Sequence, residues 1–149
     1  MMNTEHLQLV LEEVFSANFV AYYRSHVAHV NIIGRNFASD HKLLQKVYED
    51  LQDNIDKLAE LLRTIGAKMP NDIATVLAIS PFRDEPTEGD SEELLQLVLD
   101  DQDRLMDLYK ELDQAANQAG DIDICNYAQS RVGDHARFRW MLRSTLELE

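Results

Sequence analysis

Apolar residues recur every three or four positions along most of this chain, which places them on one face of an α-helix. Glycine and proline mark the breaks in the pattern and divide the chain into four long segments. These segments cover residues 4–32, 37–65, 90–118 and 122–146, and a short helix is predicted at 71–79. Gly133 lies inside the last segment. Strand-like alternation and internal repeats are absent from the sequence, so we predict an all-α protein.

Helix ends and lengths predict how the segments pack. Asp90 and Glu93 have the spacing of a capping box, and Asp121 is placed to cap the last helix. Helices of this length are rods of about 40 Å, which suits a four-helix bundle. The connection that carries the short helix can cross the bundle's full length. We therefore predict a ferritin-like four-helix bundle with an extra helix in its long middle crossover, as a single domain over 1–149.

Composition narrows the class of protein. A chain of 149 residues with 45% hydrophobic residues can bury a sizeable core in one domain. No apolar run approaches the roughly 20 residues of a membrane span, and no secretory signal is apparent. The single cysteine, Cys125, cannot form an internal disulfide, and we predict it to be a small buried apolar residue. The simplest interpretation is a cytoplasmic protein without membrane contact.

The net charge is strongly negative. Twenty-seven acidic residues against 14 Lys and Arg give −13, which disfavours binding to nucleic acid and favours attraction of cations. The one candidate basic patch is an arginine cluster near the end of the chain: Arg131, Arg137, Arg139 and Arg143.

Four residues form a candidate metal-ligand set. His29 and His41 flank a predicted turn, and Asp56 and Glu60 share one helical stripe. Imidazole with carboxylate suits iron, zinc or manganese. His41 and Asp56 are 15 residues apart on one predicted helix, or roughly 22 Å, which one ion cannot bridge. Either these residues are unrelated, as a solvated acidic helix face and a capping or core histidine, or a second copy of the chain closes the site.

The motif itself resembles that of a known family. The run from His29 to Phe37, followed by His41, Asp56 and Ala59-Glu60, is similar to the signature of the Dps mini-ferritins. That signature is His-Trp-Asn-x-x-Gly-x-x-Phe, then a His, then Asp-x-x-Ala-Glu, and every spacing is kept. Support for the resemblance also comes from Asn18, Tyr22, Tyr23, Tyr48 and the run Trp140 to Arg143.

The resemblance implies a function. In mini-ferritins the ferroxidase site lies between two subunits at a twofold axis, so His29 and His41 of one chain would meet Asp56 and Glu60 of its partner. Twelve chains form a hollow shell. Fe(II) is oxidised at the interface, by hydrogen peroxide in preference to oxygen, and Fe(III) mineral collects inside, which protects against oxidative damage. By the same analogy, Asp121 and Asp123 would line an iron-entry pore, although simple N-capping explains them equally well.

Several positions depart from the family pattern. The Trp that follows the first His is Val30, which puts interception of radicals in doubt. Acids that nucleate mineral in the family are replaced by Lys42, Gln45 and Lys46, so nucleation is weaker or moves to the acids that remain, which are Glu49, Asp50 and Asp53. The opening residues carry no lysine-rich arm, and twelve copies at −13 carry roughly −156. Direct DNA binding is therefore disfavoured.

The sequence also bears on the residues around the candidate ligands and on other classes of protein. His26, three residues before His29, could extend the metal site, but we interpret it as a surface histidine; Tyr22, Tyr23, Tyr48 and Trp140 are interpreted as packing residues. Conventional ferritins carry Glu-x-x-His pairs inside one bundle, but no histidine here has a glutamate three residues before it. A non-enzymatic DNA-compacting or scaffold shell with a degenerate metal site stays as the alternative.

Overall fold

Five α-helices make up the protein in a computed structural model that describes residues 4–148. They are α1 (Thr4–Asn31), α2 (Phe37–Thr64), α3 (Ile73–Ile79), α4 (Ser91–Ala119) and α5 (Ile122–Thr145). Within the described range there is no strand. Residues 1–3 and 149 lie outside that range. The two ends of the predicted domain, and the first residues of the opening segment that was predicted to lack a lysine-rich arm, are therefore outside the described residues.

The four long helices form two hairpins. Short connections join α1 to α2 and α4 to α5, the helices of each hairpin pack along one another, and α1 also packs against α4. A methyl group on Gly34, in the first connection, would lie 3.6 Å from Ser91 Oγ at the start of α4. Helices α2 and α4 therefore begin at the same end of the bundle, and the connection 65–90 must run back along its length. This confirms the predicted ferritin-like topology.

Side chains cap the helices largely as predicted. Asp90 accepts from the Glu93 backbone N–H at 2.9 Å, and the Glu93 side chain accepts from the Asp90 N–H at 3.0 Å, which confirms the capping box. Asp121 accepts from the Ile124 N–H at 2.9 Å and caps α5. The short helix begins two residues later than the predicted start at 71, because Asp72 caps it by accepting from the Thr75 N–H.

The core consists mainly of leucine, valine and alanine from α1, α2, α4 and α5. Two predicted packing residues are not part of it: Tyr23 is 65% exposed and Trp140 is 66% exposed in the single chain. Cys125 is half-buried against the core. None of the described helices combines the length and the apolar character that a membrane span needs.

A buried ion pair joins α2 to α5 inside the bundle. Arg131, only 3% exposed, donates to both carboxylate oxygens of Asp50, at 2.7 and 3.0 Å. The same guanidinium also donates to Asp134 at 3.1 Å and reaches His135 Nε2 at 2.9 Å. Asp50 therefore lies on the side of α2 that faces the bundle, whereas Glu49 and Asp53 are exposed.

Candidate metal centre

The turn between α1 and α2 brings His29 and His41 face to face. His29 lies in the last turn of α1, and His41 lies in the second turn of α2. Because the two helices pack as a hairpin, the rings stack with centroids 3.7 Å apart and an interplanar angle of 15°. The Phe37 ring stacks on the other side of His41, with centroids 4.8 Å apart. The two imidazoles thus form one ordered unit.

Each histidine is held by the backbone of the other. His41 Nδ1 lies 2.7 Å from the His29 carbonyl oxygen, and His29 Nδ1 lies 2.6 Å from the His41 carbonyl oxygen. A carbonyl can only accept, so each Nδ1 carries the hydrogen and donates it. The His29 carbonyl belongs to the end of α1, where carbonyls lack a partner within the helix. Both Nε2 atoms are consequently left with the lone pair that binds a metal.

Local electrostatics favour the ligand form of His29. Burial lowers the pKa of His29 below its usual value, and the positive forms of His41 and His26 lower it further. The hydrogen bond to the His41 carbonyl and the charge of Glu49 act in the opposite direction. The net lowering favours the neutral imidazole at neutral pH, and neutral imidazole is the form that coordinates metal ions.

The two candidate acidic ligands do not join the histidines within one chain. Asp56 and Glu60 are exposed on α2, 15 and 19 residues beyond His41, or roughly 22 and 28 Å along the helix. Among residues 4–148, no three His, Cys, Asp or Glu side chains are grouped closely enough to hold a metal ion. Within one chain the histidine pair and the two acidic residues are therefore far apart, with His41 near the start of α2 and Asp56 and Glu60 towards its end.

An aromatic cluster of Tyr22, His26 and Tyr48 lies beside the histidine pair. The Tyr22 hydroxyl is 2.8 Å from His26 Nδ1, the His26 ring stacks on Tyr48 at 4.0 Å, and Tyr48 lies 5.0 Å from His29 between ring centroids. His26 is half-buried rather than a surface histidine. The spacing of four and then three residues from Tyr22 through His26 to His29 places all three on one face of α1, and that signal could have linked them.

The predicted nucleation acids differ in their surroundings. Glu49 and Asp53 are exposed, whereas Asp50 is half-buried and bound to Arg131. Helical periodicity accounts for this, because Asp50 lies on the inward side of α2. At the start of α5, Asp123 is exposed and one oxygen of Asp121 is occupied by its capping bond.

The candidate basic patch is largely neutralised. Arg131 is buried and paired with Asp50, Arg137 pairs with Asp134, and Arg139 pairs with Asp103. The prediction that Arg131 belongs to a surface patch is wrong, because its side chain is buried and paired with Asp50. The sequence could not show this, because the arginine's partner lies 81 residues away on another helix.

Comparison with known proteins places this geometry in a family. Residues 8–149 match the ferritin-like domain family. A DNA protection during starvation protein from Brevibacillus brevis is 31% identical over 139 residues, covering 88% of this chain and 89% of that protein.

Solved structures show the same fold. The Dps protein from Vibrio cholerae O1, described as a ferritin-like diiron-carboxylate protein, superposes with a TM-score of 0.90 at 23% identity and covers 97% of this chain and 91% of its own. A dodecameric thioferritin from Bacteroides fragilis superposes with a TM-score of 0.90 at 18% identity, covering 97% and 86%. By its domain match, its relatives and its fold, the chain belongs to the ferritin-like domain family and, within it, to the Dps mini-ferritins.

Proposed function

We propose that this protein is a ferroxidase and iron-storing mini-ferritin whose metal sites are shared between two chains. The observation that carries the proposal is the reciprocal pair of hydrogen bonds between His29 and His41, which leaves two Nε2 lone pairs free. Two imidazoles alone make a weak site for iron. Asp56 and Glu60, exposed at the other end of α2, are the acids that a second antiparallel chain would supply.

The donor set suits iron that changes oxidation state. Imidazole nitrogen binds Fe(II) well, and carboxylate oxygen stabilises the higher charge of Fe(III). In the proposed reaction two Fe(II) ions give one electron each to hydrogen peroxide, whose O–O bond breaks to give hydroxide or water. Oxygen is the slower oxidant in this proposal, and zinc and manganese are metals that could occupy the same donors without this turnover.

The proposed assembly follows from the shared site. A twofold axis through α2 creates two sites per dimer, and twelve chains would enclose a cavity in which Fe(III) mineral collects. Glu49 and Asp53 are the exposed acids proposed to start the mineral, with Asp121 and Asp123 proposed at the entry pore. Removing Fe(II) and peroxide together would limit oxidative damage in the cytoplasm. Direct binding to DNA has no part in this proposal, since the arginines described above are paired with acids.

An iron-oxidation assay with mixed variants tests the shared site. The wild-type protein should oxidise Fe(II) faster with peroxide than with oxygen, whereas His41→Ala and Asp56→Ala should each lose most of that activity. When these two variants are unfolded, mixed and reassembled, half of the dimers are mixed and each has one intact site. About a quarter of the wild-type activity should return.

The matched control mixes His29→Ala with His41→Ala. Both variants lack the imidazole half, so no mixed dimer contains an intact site and no activity should return. Equal recovery in both mixtures, or none in the first although shells have formed, would rule out ligands that come from two chains. A wild-type shell without Fe(II) oxidation would favour the non-enzymatic alternative.

A further inference from the structure

Three aromatic side chains connect the surface of α1 to the candidate metal centre through unbroken ring contacts. Tyr22 is hydrogen-bonded to His26 at 2.8 Å, and its ring centroid lies 6.2 Å from that of Tyr48. His26 and Tyr48 stack almost in parallel, at 4.0 Å and 6°. Tyr48 in turn contacts His29. The route ends at an imidazole that is proposed to hold iron.

The Tyr22–His26 hydrogen bond suits the loss of an electron together with a proton. The phenol O–H is the better donor and the imidazole nitrogen the better acceptor, so Tyr22 donates to His26 Nδ1. A phenol that loses an electron becomes strongly acidic, and a base already in contact receives its proton without movement of either group. Within a single chain, and among residues 4–148, the Tyr48 hydroxyl has no such base in contact with it.

A tyrosine that can give up an electron is useful beside a site that reduces hydrogen peroxide. Reduction of peroxide to hydroxide or water consumes two electrons, but a site that holds one Fe(II) ion supplies only one. Unless a second donor is close, the other oxygen atom leaves as hydroxyl radical. Val30, the exposed neighbour of His29 in the sequence, has no side chain that can be oxidised under these conditions.

We propose that Tyr22 is a redox-active residue that supplies this second electron through Tyr48, with His26 as its proton acceptor. The inference rests on the proposed ferroxidase function. In the balanced step, one Fe(II), one tyrosine and one peroxide give one Fe(III), one neutral tyrosyl radical, one hydroxide and one water. The O–O bond breaks, and the phenolic proton passes to His26 and then to one of the two hydroxides.

The first test uses the metal-free protein and so does not depend on iron chemistry. A photoexcited ruthenium tris-bipyridine complex with persulfate oxidises exposed aromatic residues by one electron, and electron paramagnetic resonance detects the tyrosyl radical. Tyr23→Phe, which removes the exposed neighbouring tyrosine, is the background for each comparison. Adding Tyr22→Phe should abolish most of the long-lived radical, and adding His26→Gln should reduce its yield several-fold. An unchanged radical in both variants would overturn the proposal.

The second test loads assembled shells with one Fe(II) per site and adds peroxide with a spin trap for hydroxyl radical. Tyr22→Phe should release several-fold more hydroxyl radical than the wild-type protein, whereas Tyr23→Phe should match the wild type. If the wild type oxidises iron but the two variants release equal amounts, Tyr22 is not the donor. If the wild type does not oxidise iron, the proposed function fails, and the metal-free radical still decides whether Tyr22 and His26 form a redox pair.

Discussion

Arg131 Nη2 lies 2.9 Å from His135 Nε2, in a contact that only a neutral imidazole can accept. On the other side of the ring, His135 Nδ1 lies 2.6 Å from Gln102 Oε1, so Nδ1 carries the hydrogen. Protonation of Nε2 would direct a second positive charge at the guanidinium. Burial, followed by the charge of Arg131, lowers the pKa of His135 well below its usual value.

This lowering predicts a loss of stability in mild acid. The unfolded chain takes up a proton on His135 below about pH 6.5 and the folded protein does not, so stability is complete above that pH and falls below it. His135→Gln should remove about 1 kcal/mol of this fall per pH unit. Urea denaturation of variant and wild type at pH 7.5 and 5.5 measures it, and the other titrating groups cancel in the difference. Parallel losses in both proteins would contradict a neutral His135.

Arg131 and Arg137 both pair with Asp134, but only Arg131 is buried, so we predict that their replacement changes the free energy of unfolding by very different amounts. Arg131→Met leaves the half-buried Asp50 without its counterion and should cost about 3 kcal/mol of unfolding free energy. The Arg137 side chain is 70% exposed and pairs with Asp134 at the surface, so Arg137→Met should cost less than about 0.5 kcal/mol of unfolding free energy. Chemical denaturation of both variants checks the contrast. Similar small losses would show that the pair on α2 and α5 contributes little.

The shared-site proposal predicts the position of the twofold axis. If His41 of one chain meets Asp56 and Glu60 of another, the axis crosses α2 within residues 48–51. Glu49→Cys, in a Cys125→Ser background, should form a disulfide with its own copy under mild oxidation. Lys57→Cys on the same helix should not, because two copies would lie roughly 22 Å apart along the helix. Cross-linking of Lys57→Cys alone would move the axis away from the proposed site.

The charge distribution predicts weak contact with duplex DNA. Each chain carries −13, and the arginines Arg131, Arg137 and Arg139 are each paired with an acid. We expect no gel shift in EDTA at moderate salt and at most a metal-dependent shift without EDTA. A salt titration gives the number of phosphates neutralised. Tight, steeply salt-dependent binding in EDTA would show that a local patch outweighs the net charge.

The spacing of apolar residues and the positions of glycine and proline were sufficient to predict the fold. The four long helices begin and end within two residues of the predicted bounds, because local features such as the Asp90 capping box and Gly120 decide them. The predicted start of α3 at residue 71 was two residues too early, because the Asp72 side chain accepts from the Thr75 N–H and caps the helix there.

The contacts within the candidate site could be predicted from the sequence only in part. Spacing identified His29 and His41, but it could not show that each ring bonds the other's backbone, since that depends on the turn between α1 and α2. The contact of His26 with Tyr22 and Tyr48 depends on how two helices pack. The role of Arg131 depends on a partner far away in the sequence.

Because the imidazoles of His29 and His41 are held in place, they affect how much side-chain entropy is lost when a metal ion binds. A free histidine side chain gives up rotamer freedom when it coordinates an ion, at roughly 0.5–1.5 kcal/mol for each immobilised side chain. Here both rings are already fixed by stacking and by backbone hydrogen bonds before any ion arrives. That entropy is lost during folding, so the two imidazoles of the proposed site are preorganised. In the proposed shared site, the exposed carboxylates of Asp56 and Glu60 would then be the ligands that still have to be ordered when an ion binds.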